Sequence, residues 1–141
     1  MKTGVITLTM AFALALAFLL VAGFPPSSEA GACPDADSDT ICDPDDNCLN
    51  KVNTSQTDSN TDGYGNVCDP DSTNDLSVTA ADLGRLKQTF GLSLGAPLYN
   101  PDHDHNGDNS VSAADLGVLK QFFGLAPGPS GKSCAGSIPC P

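Results

Sequence analysis

The chain has no tryptophan, two tyrosines, and six basic residues against seventeen acidic ones, of which Glu29 alone is a glutamate. So few large aromatics leave little to bury, and metal ions and disulfides must supply much of the stability that a core would otherwise give. The shortage of bases leaves a formal net charge of -11. Nucleic acid would meet a surface of its own sign and is excluded as a partner. The sequence also lacks a nucleophile with a neighbouring base, a carboxylate pair outside the acidic loops described below and a glycine-rich phosphate cradle, so nothing in it points to an enzyme. None of the cysteine spacings gives a Cys-x-x-Cys pair, which argues against zinc.

Long apolar runs are confined to one place. Lys2 precedes an apolar stretch from Val5 to Ala22, and small residues follow at Ser28, Ala30 and Ala32. This is the layout of a secretory signal peptide over residues 1–32, cleaved after Ala30 or Ala32. A retained membrane anchor is the competing reading, since the run is just long enough to span, although no positive cluster follows it. A lipidated Cys33 is a third. The mature part is then a secreted, extracellular chain of about 110 residues, enough for one small domain or two very small ones. It holds all six cysteines, Cys33, Cys42, Cys48, Cys68, Cys134 and Cys140. An even count behind a secretory signal implies an oxidised framework, with fifteen possible connectivities.

The most informative feature is a near-duplicate. Ser77 to Leu92 reads SVTAADLGRLKQTFGL and Ser110 to Leu125 reads SVSAADLGVLKQFFGL. Each copy follows an Asp-rich run. Counting Asp104 as position 1 puts Asn106 at 3, Asp108 at 5, Ser110 at 7, Ser112 at 9 and Asp115 at 12, the oxygen-ligand spacing of an EF-hand-type calcium loop. In the first copy Asp71, Thr73, Asp75, Ser77, Thr79 and Asp82 take the same positions. This loop is the weaker of the two, because Thr73 is neutral and Leu76 stands at position 6, where glycine is wanted and where the other loop has Asn109.

Thr79 and Ser112 are N-cap residues for a short helix after each loop, and Gly91 and Gly124 end these helices. Leu83, Leu86 and Phe90 form one apolar stripe and Leu116, Leu119 and Phe123 the other; the expectation is that the stripes pack on each other as the core. Val78 and Val111, at position 8, are expected to pair as a tiny strand between the loops. His103 and His105 flank Asp104, and a transition-metal site there is disfavoured because position 2 points outward and no third nitrogen or sulfur ligand is near.

Between Cys33 and Asp71 lie ten of the sixteen aspartates and one base, Lys51. Such a run repels itself unless cations fill it. Two more twelve-residue windows fit the ligand rule: Asp35, Asp37, Asp39, Asp43 and Asp46 at positions 1, 3, 5, 9 and 12, then Asp58, Asn60, Asp62, Tyr64 and Asp69 at 1, 3, 5, 7 and 12. At Asp35-Asp37-Asp39, Asp46-Asn47-Cys48, Asn53 with Gln56, and Asp58 through Asp69, the chain resembles the thrombospondin type 3 repeat, with Asn60 where that pattern has Asp. The resemblance implies a nearly core-less series of calcium-filled loops with cysteines as staples. It also implies that Cys48 pairs with Cys68, which makes Cys33 with Cys42 the local choice and leaves Cys134 with Cys140. Asn53-Thr54-Ser55 fits an N-glycosylation acceptor, but Asn53 is already accounted for by the repeat pattern.

The duplicated half, with DLGxLKQxFG in both copies and Asp closing each loop, resembles dockerin domains of type I. That resemblance implies a calcium-dependent, internally two-fold domain that docks onto a cohesin-type protein partner, and through it a link to polysaccharide degradation. The positions that often read the partner are Ala80 and Ala81 with Lys87 and Gln88, and Ala113 and Ala114 with Lys120 and Gln121, where alanines replace the usual hydroxyls and each basic pair is half kept.

The expected architecture is small and mainly α. A duplicated calcium loop-helix domain over 71–125 follows an irregular calcium- and disulfide-stabilised segment over 33–70 and precedes a Pro/Gly/Ser-rich tail over 126–141, itself without regular structure. The expected function is a secreted, non-catalytic calcium-binding protein that docks a partner; the alternative is a structural or adhesive spacer whose halves are rigidified by calcium.

Overall fold

Two ten-residue helices, α1 (Ala80–Thr89) and α2 (Ala113–Phe122), form where the duplicated sequence changes from alternating Asp to a helical apolar period. The computed structural model describes residues 33–141, so the expected signal peptide lies outside the described residues. Each helix opens on a capping box. The Thr79 side chain accepts from the Ala81 amide at 3.2 Å while Asp82 accepts from the Thr79 amide at 2.7 Å, and Ser112 with Ala114 and Asp115 repeats this. Two donors that the first turn leaves free are thereby satisfied. Each helix stops at a left-handed glycine, Gly91 or Gly124, both at φ 84°. The remaining regular structure among the described residues is a pair of 3-10 turns, Asp43–Asp45 and Pro101–His103, and an isolated antiparallel bridge between Ser93 and Ser110.

The core is four side chains, Val78, Leu86, Val111 and Leu119, with Leu83, Leu116, Tyr99 and Phe122 packed around it. Burying each of these leucines stabilises the fold by about 2 kcal/mol. Two expectations need correction. Phe90 and Phe123 are about half exposed, because each sits at a C-cap, past the last turn that faces the partner helix. Val78 and Val111 do not pair with each other. Val78 donates to the carbonyl of Leu125 and accepts from Gly124, both at 2.8 Å, while Val111 donates to Leu92 at 2.8 Å and accepts from Gly91 at 2.7 Å. Each valine thus bonds the segment just after the other repeat's helix, an exchange that keeps the two-fold symmetry and satisfies twice as much backbone as one shared bridge.

The acidic segment has no strand or α-helix, and its order comes from disulfides and side-chain amides. Cys48 bonds Cys68 and both are buried. Cys33 bonds Cys42 and Cys134 bonds Cys140. The Asn47 amide donates to the Gln56 side chain at 2.7 Å, and Asn53 is buried against Asn47, an environment with no room for a glycan. The tail, though irregular, is a clasp. The Gly128 amide donates to Cys68, Gly131 to Asp46, Gly136 to Asp62 and Cys140 to Thr61, so residues 128–140 run along the loops of the acidic segment. At Gly131 any side chain would collide with the Asp43 carbonyl, and glycine alone permits the approach.

The acidic segment also touches the duplicated half. The Asn66 side chain donates to the Pro101 carbonyl at 2.8 Å, and Nδ1 of His105 lies 3.1 Å from the Asn66 carbonyl. The outward position of His105 on its own loop is therefore an inward one for the whole molecule, and its side chain is 1% exposed. His103 is turned elsewhere, with Nδ1 2.7 Å from the Thr89 hydroxyl.

Candidate metal centres

The four acidic windows share one backbone. In each, positions 4 and 6 have left-handed torsions: Ser38 and Thr40, Thr61 and Gly63, Asn74 and Leu76, Gly107 and Asn109. In each, the position-1 carboxylate accepts from the position-6 amide: Thr40 to Asp35 at 3.0 Å, Gly63 to Asp58 at 2.9 Å, Leu76 to Asp71, and Asn109 to Asp104 at 2.8 Å. Among the described residues, seven non-glycine residues hold positive φ, six of them within these loops. That conformation is costly for such residues, and a shared external demand on loop shape explains why it recurs in register. Among the described residues, Asp35, Asp37 and Asp39 are the three acids of one loop whose oxygens converge, whereas Asp75 and Asp108, at position 5 of their loops, are exposed.

The position-12 aspartates, Asp46, Asp69, Asp82 and Asp115, are each at most 2% exposed. In the two helical loops the closing carboxylate also ties the loop to its helix, since Asp82 accepts from the Thr73 amide at 2.9 Å and Asp115 from the Asn106 amide at 3.2 Å. Burial pushes the Asp82 carboxyl up, but the hydrogen bonds from Thr79 and Thr73 outweigh it and hold the group below the ordinary range.

Asp35, Asp37 and Asp39 bring one oxygen each within 4.8 Å of one another. That span is about twice a calcium–oxygen distance of roughly 2.4 Å, so one hard cation fits among the three. Oδ2 of Asp37 is buried with no hydrogen-bond partner, an orphan such an ion would satisfy. Burial pushes the Asp37 carboxyl up, and the Asp39 and Asp46 carboxylates add to the rise. Asp43 is partly used locally, accepting from the Ala36 amide at 2.8 Å.

In the Asp58 loop, Asn60 accepts from the Asp62 amide, and Asp62 from Tyr64 at 2.9 Å. Asp69 accepts from the Asn60 side chain at 3.2 Å. Burial, then Asp62 and Asp102, push the Asp69 carboxyl up to about 9. In the Asp71 loop, Asp71 is fully buried, Thr73 turns its hydroxyl to Asp71 at 3.1 Å, and Asp75 accepts from the Ser77 amide at 3.1 Å. In the Asp104 loop, Asp108 is exposed and held by Asn106 at 2.8 Å, Ser110 bridges Ser93, and Tyr99 donates to Asp104 at 2.7 Å. Burial, then that bond to Asp104, push the Tyr99 phenol up to about 12.

Among the described residues, one buried carboxylate belongs to no window. Asp102 is 8% exposed, and burial followed by the Asp62, Asp58 and Asp71 carboxylates pushes it up to about 7. A twelve-residue rule anchored at Asp104 cannot include it. The visible trace was the alternation of Asp102, Asp104, Asn106 and Asp108, which starts one step before the loop.

No family model matches the chain and no curated protein matches it. Among solved structures, the chain is similar to a type II cohesin-dockerin domain from Bacteroides cellolosolvens, at 28% identity and TM-score 0.35, over 40% of this chain and 85% of that one. A likeness this loose assigns no fold, and the loops themselves carry the functional reading. Among the described residues, no helix is long and apolar enough to cross a membrane.

Proposed function

We propose that the protein is a secreted, non-catalytic calcium-binding module in which four loops hold calcium and the duplicated half docks onto a protein partner of cohesin type. The observation that carries the calcium part is the common loop backbone, with left-handed positions 4 and 6 and a position-1 carboxylate on the position-6 amide in all four windows. A calcium ion takes six to eight oxygens, and inward-turned Asp, Asn, Ser and Thr oxygens with a backbone carbonyl at position 7 supply that number. When bound, the ion neutralises carboxylates that otherwise repel one another in a chain of net charge -11.

Docking is supported by the two-fold exchange that places α1 and α2 in equivalent settings, each with an exposed Lys-Gln pair, Lys87-Gln88 and Lys120-Gln121. Ala80, Ala81, Ala113 and Ala114 are exposed at the helix starts and offer a small, flat surface. A partner reading one copy could read the other after a half turn. A link to polysaccharide degradation would come through what the partner carries.

The spacer reading is favoured by a different observation, the clasp that ties the tail to the acidic segment through Cys68, Asp46, Asp62 and Thr61. Calorimetric titration of the mature chain should show about four calcium sites, one for each twelve-residue window; none would sink both readings. A pull-down on cohesin-type domains, with calcium and with chelator, then separates them. Retention only with calcium supports docking, and no retention with calcium leaves the spacer.

A further inference from the structure

Three consecutive carbonyls of the Asp58 loop are taken from outside by the tail. Thr61 accepts from the Cys140 amide at 2.7 Å, Asp62 from the Gly136 amide at 2.8 Å and Gly63 from the Ser130 hydroxyl at 2.7 Å. The Ser130 hydroxyl in turn accepts from the Lys132 amide at 3.1 Å, which leaves its own proton for Gly63. Among the described residues, the carbonyls at positions 4 to 6 of the other three windows accept one such bond between them, Asn109 from the Leu94 amide at 2.9 Å. The tail lies close over the Asp58 loop: a β-carbon at Gly63 would stand 2.5 Å from Sγ of Cys140 and 2.9 Å from Cα of Ala135. The near end of the same segment is anchored on the first loop. The Gly131 amide donates to the carbonyl of Asp46, position 12 of the Asp35 window, at 2.8 Å, and Pro129 accepts from the Leu49 amide at 2.9 Å.

A peptide unit is planar, so a carbonyl held on one side fixes the direction of the next residue's N–H on the other. The three units held by the tail carry the amides of Asp62, Gly63 and Tyr64. Those amides donate to Asn60 at 3.2 Å, to Asp58 at 2.9 Å and to Asp62 at 2.9 Å, the side chains at positions 3, 1 and 5. The stretch also holds two left-handed residues, Thr61 at φ 61° and Gly63 at φ 89°, the first at a torsional cost that support from outside offsets. We propose that residues 130–140 are a positioning strap for the Asp58 loop, in which hydrogen bonds to the outer carbonyls orient the inner amides that hold Asp58, Asn60 and Asp62. The assignment rests on the reading of this loop as a calcium site. It adds that the ligand side chains are set by the tail, with Ser130 reaching Gly63 across sixty-seven positions of the chain. Because the strap is also tied to Asp46, it joins the closing residue of the first loop to the middle of the second.

Amide NMR of the mature chain during calcium titration reads each loop by itself, at Gly63 for the Asp58 loop and at Asn109 for the Asp104 loop, both at position 6. Ser130→Ala is expected to raise the calcium concentration that half-fills the site at Gly63 by about threefold or more, the scale of one lost hydrogen bond. The value at Asn109 is expected to stay within about twofold of the parent. Ser130→Thr keeps the hydroxyl and is expected to match the parent at both positions. A Ser130→Ala chain that matches the parent at Gly63 overturns the strap and leaves the calcium reading of the loop intact. Equal weakening at Gly63 and Asn109, or a Ser130→Thr chain as weak as Ser130→Ala, also overturns it, since the loss would then come from folding or packing and not from the hydroxyl. No response to calcium at Gly63 in the parent chain overturns the calcium reading of this loop and the strap with it.

Discussion

Leu76 donates its backbone N–H to the carboxylate of Asp71 from a left-handed backbone, φ 64°, while its side chain stays half exposed. At the matching position of the second copy Asn109 makes the same bond at φ 67°. A branched apolar residue in this region costs about 1 kcal/mol more than asparagine, which visits it readily. Leu76→Asn is therefore expected to stabilise the calcium-loaded chain by about 1 kcal/mol, and Asn109→Leu to destabilise it by a similar amount. Thermal unfolding in calcium reads both. The Leu76 side chain lies over Gly136 in the tail, where its Cδ2 would be 3.3 Å from an added β-carbon. A Leu76→Asn chain less stable than the parent would show that this contact outweighs the torsional cost.

Gly65 and Gly84 should respond oppositely to the same change. A β-carbon at Gly65 would come within 2.8 Å of both Asn53 and Cys48 and still closer to Asn47, all three buried around the Cys48–Cys68 disulfide. Gly65→Ala is expected to cost about 2 kcal/mol or more, since overpacking cannot relax where a disulfide and an amide network meet. Gly84 lies within α1 with nothing inside 4 Å of an added β-carbon. Gly84→Ala is expected to stabilise by about 0.5–1 kcal/mol through helix propensity. Denaturant unfolding of the two variants in calcium gives the comparison, and a neutral Gly65→Ala would show that the amide network is looser than it looks.

Local chemistry made parts of this fold legible in the sequence. Thr79 with Asp82 and Ser112 with Asp115 announced both capping boxes, and Gly91 and Gly124 marked both helix ends, because these signals act within a few residues. Long-range pairings were not legible. The exchange of Val78 and Val111 between repeats depends on how the two copies face each other, and a duplicated sequence is equally compatible with direct pairing. Phe90 and Phe123 matched the helical period yet fell one residue beyond the helices, where the chain turns away from the core. Asp102 and the inward His105 were hidden for a further reason: the segment that holds them is fastened by Asn66, thirty-five residues from Pro101 and thirty-nine from His105 along the chain.

Stapling and ion binding should be coupled at Cys48–Cys68. The bond closes a loop of about twenty residues that contains Asn53, Gln56 and most of the Asp58 window. Replacing both cysteines by alanine is expected to cost about 3 kcal/mol, mainly through the freedom regained by the unfolded chain. Since a folded loop is what binds, calcium affinity at the Asp58 loop should fall with it. Replacing Cys134 and Cys140 releases a much shorter loop and should cost less. Calcium titration and thermal unfolding of the two double variants give the order, and an equal loss in both would show that the tail clasp matters as much as the buried staple.

Chelation should expose a pH dependence that calcium removes. Burial, then neighbouring carboxylates, push Asp69 up to about 9 and Asp102 up to about 7, against an ordinary value of 3.8. The metal-free folded chain then holds more protons at these groups than the unfolded chain does, so their favourable contribution is complete below the ordinary value and is lost as pH rises through 7 and towards 9. His103 acts in the opposite sense. Burial lowers it from 6.5 to about 4, so it adds stability as pH rises across that interval and no more above it. Between about pH 6.5 and about pH 9 the carboxylates act alone, and the unfolding temperature in chelator should fall across that window. With calcium saturating the loops, the cation replaces the protons and the slope should flatten. A chelated chain whose unfolding temperature stays level or rises from pH 6.5 to 9 would mean that Asp69 and Asp102 are ionised without metal, and that water or Arg85 compensates them.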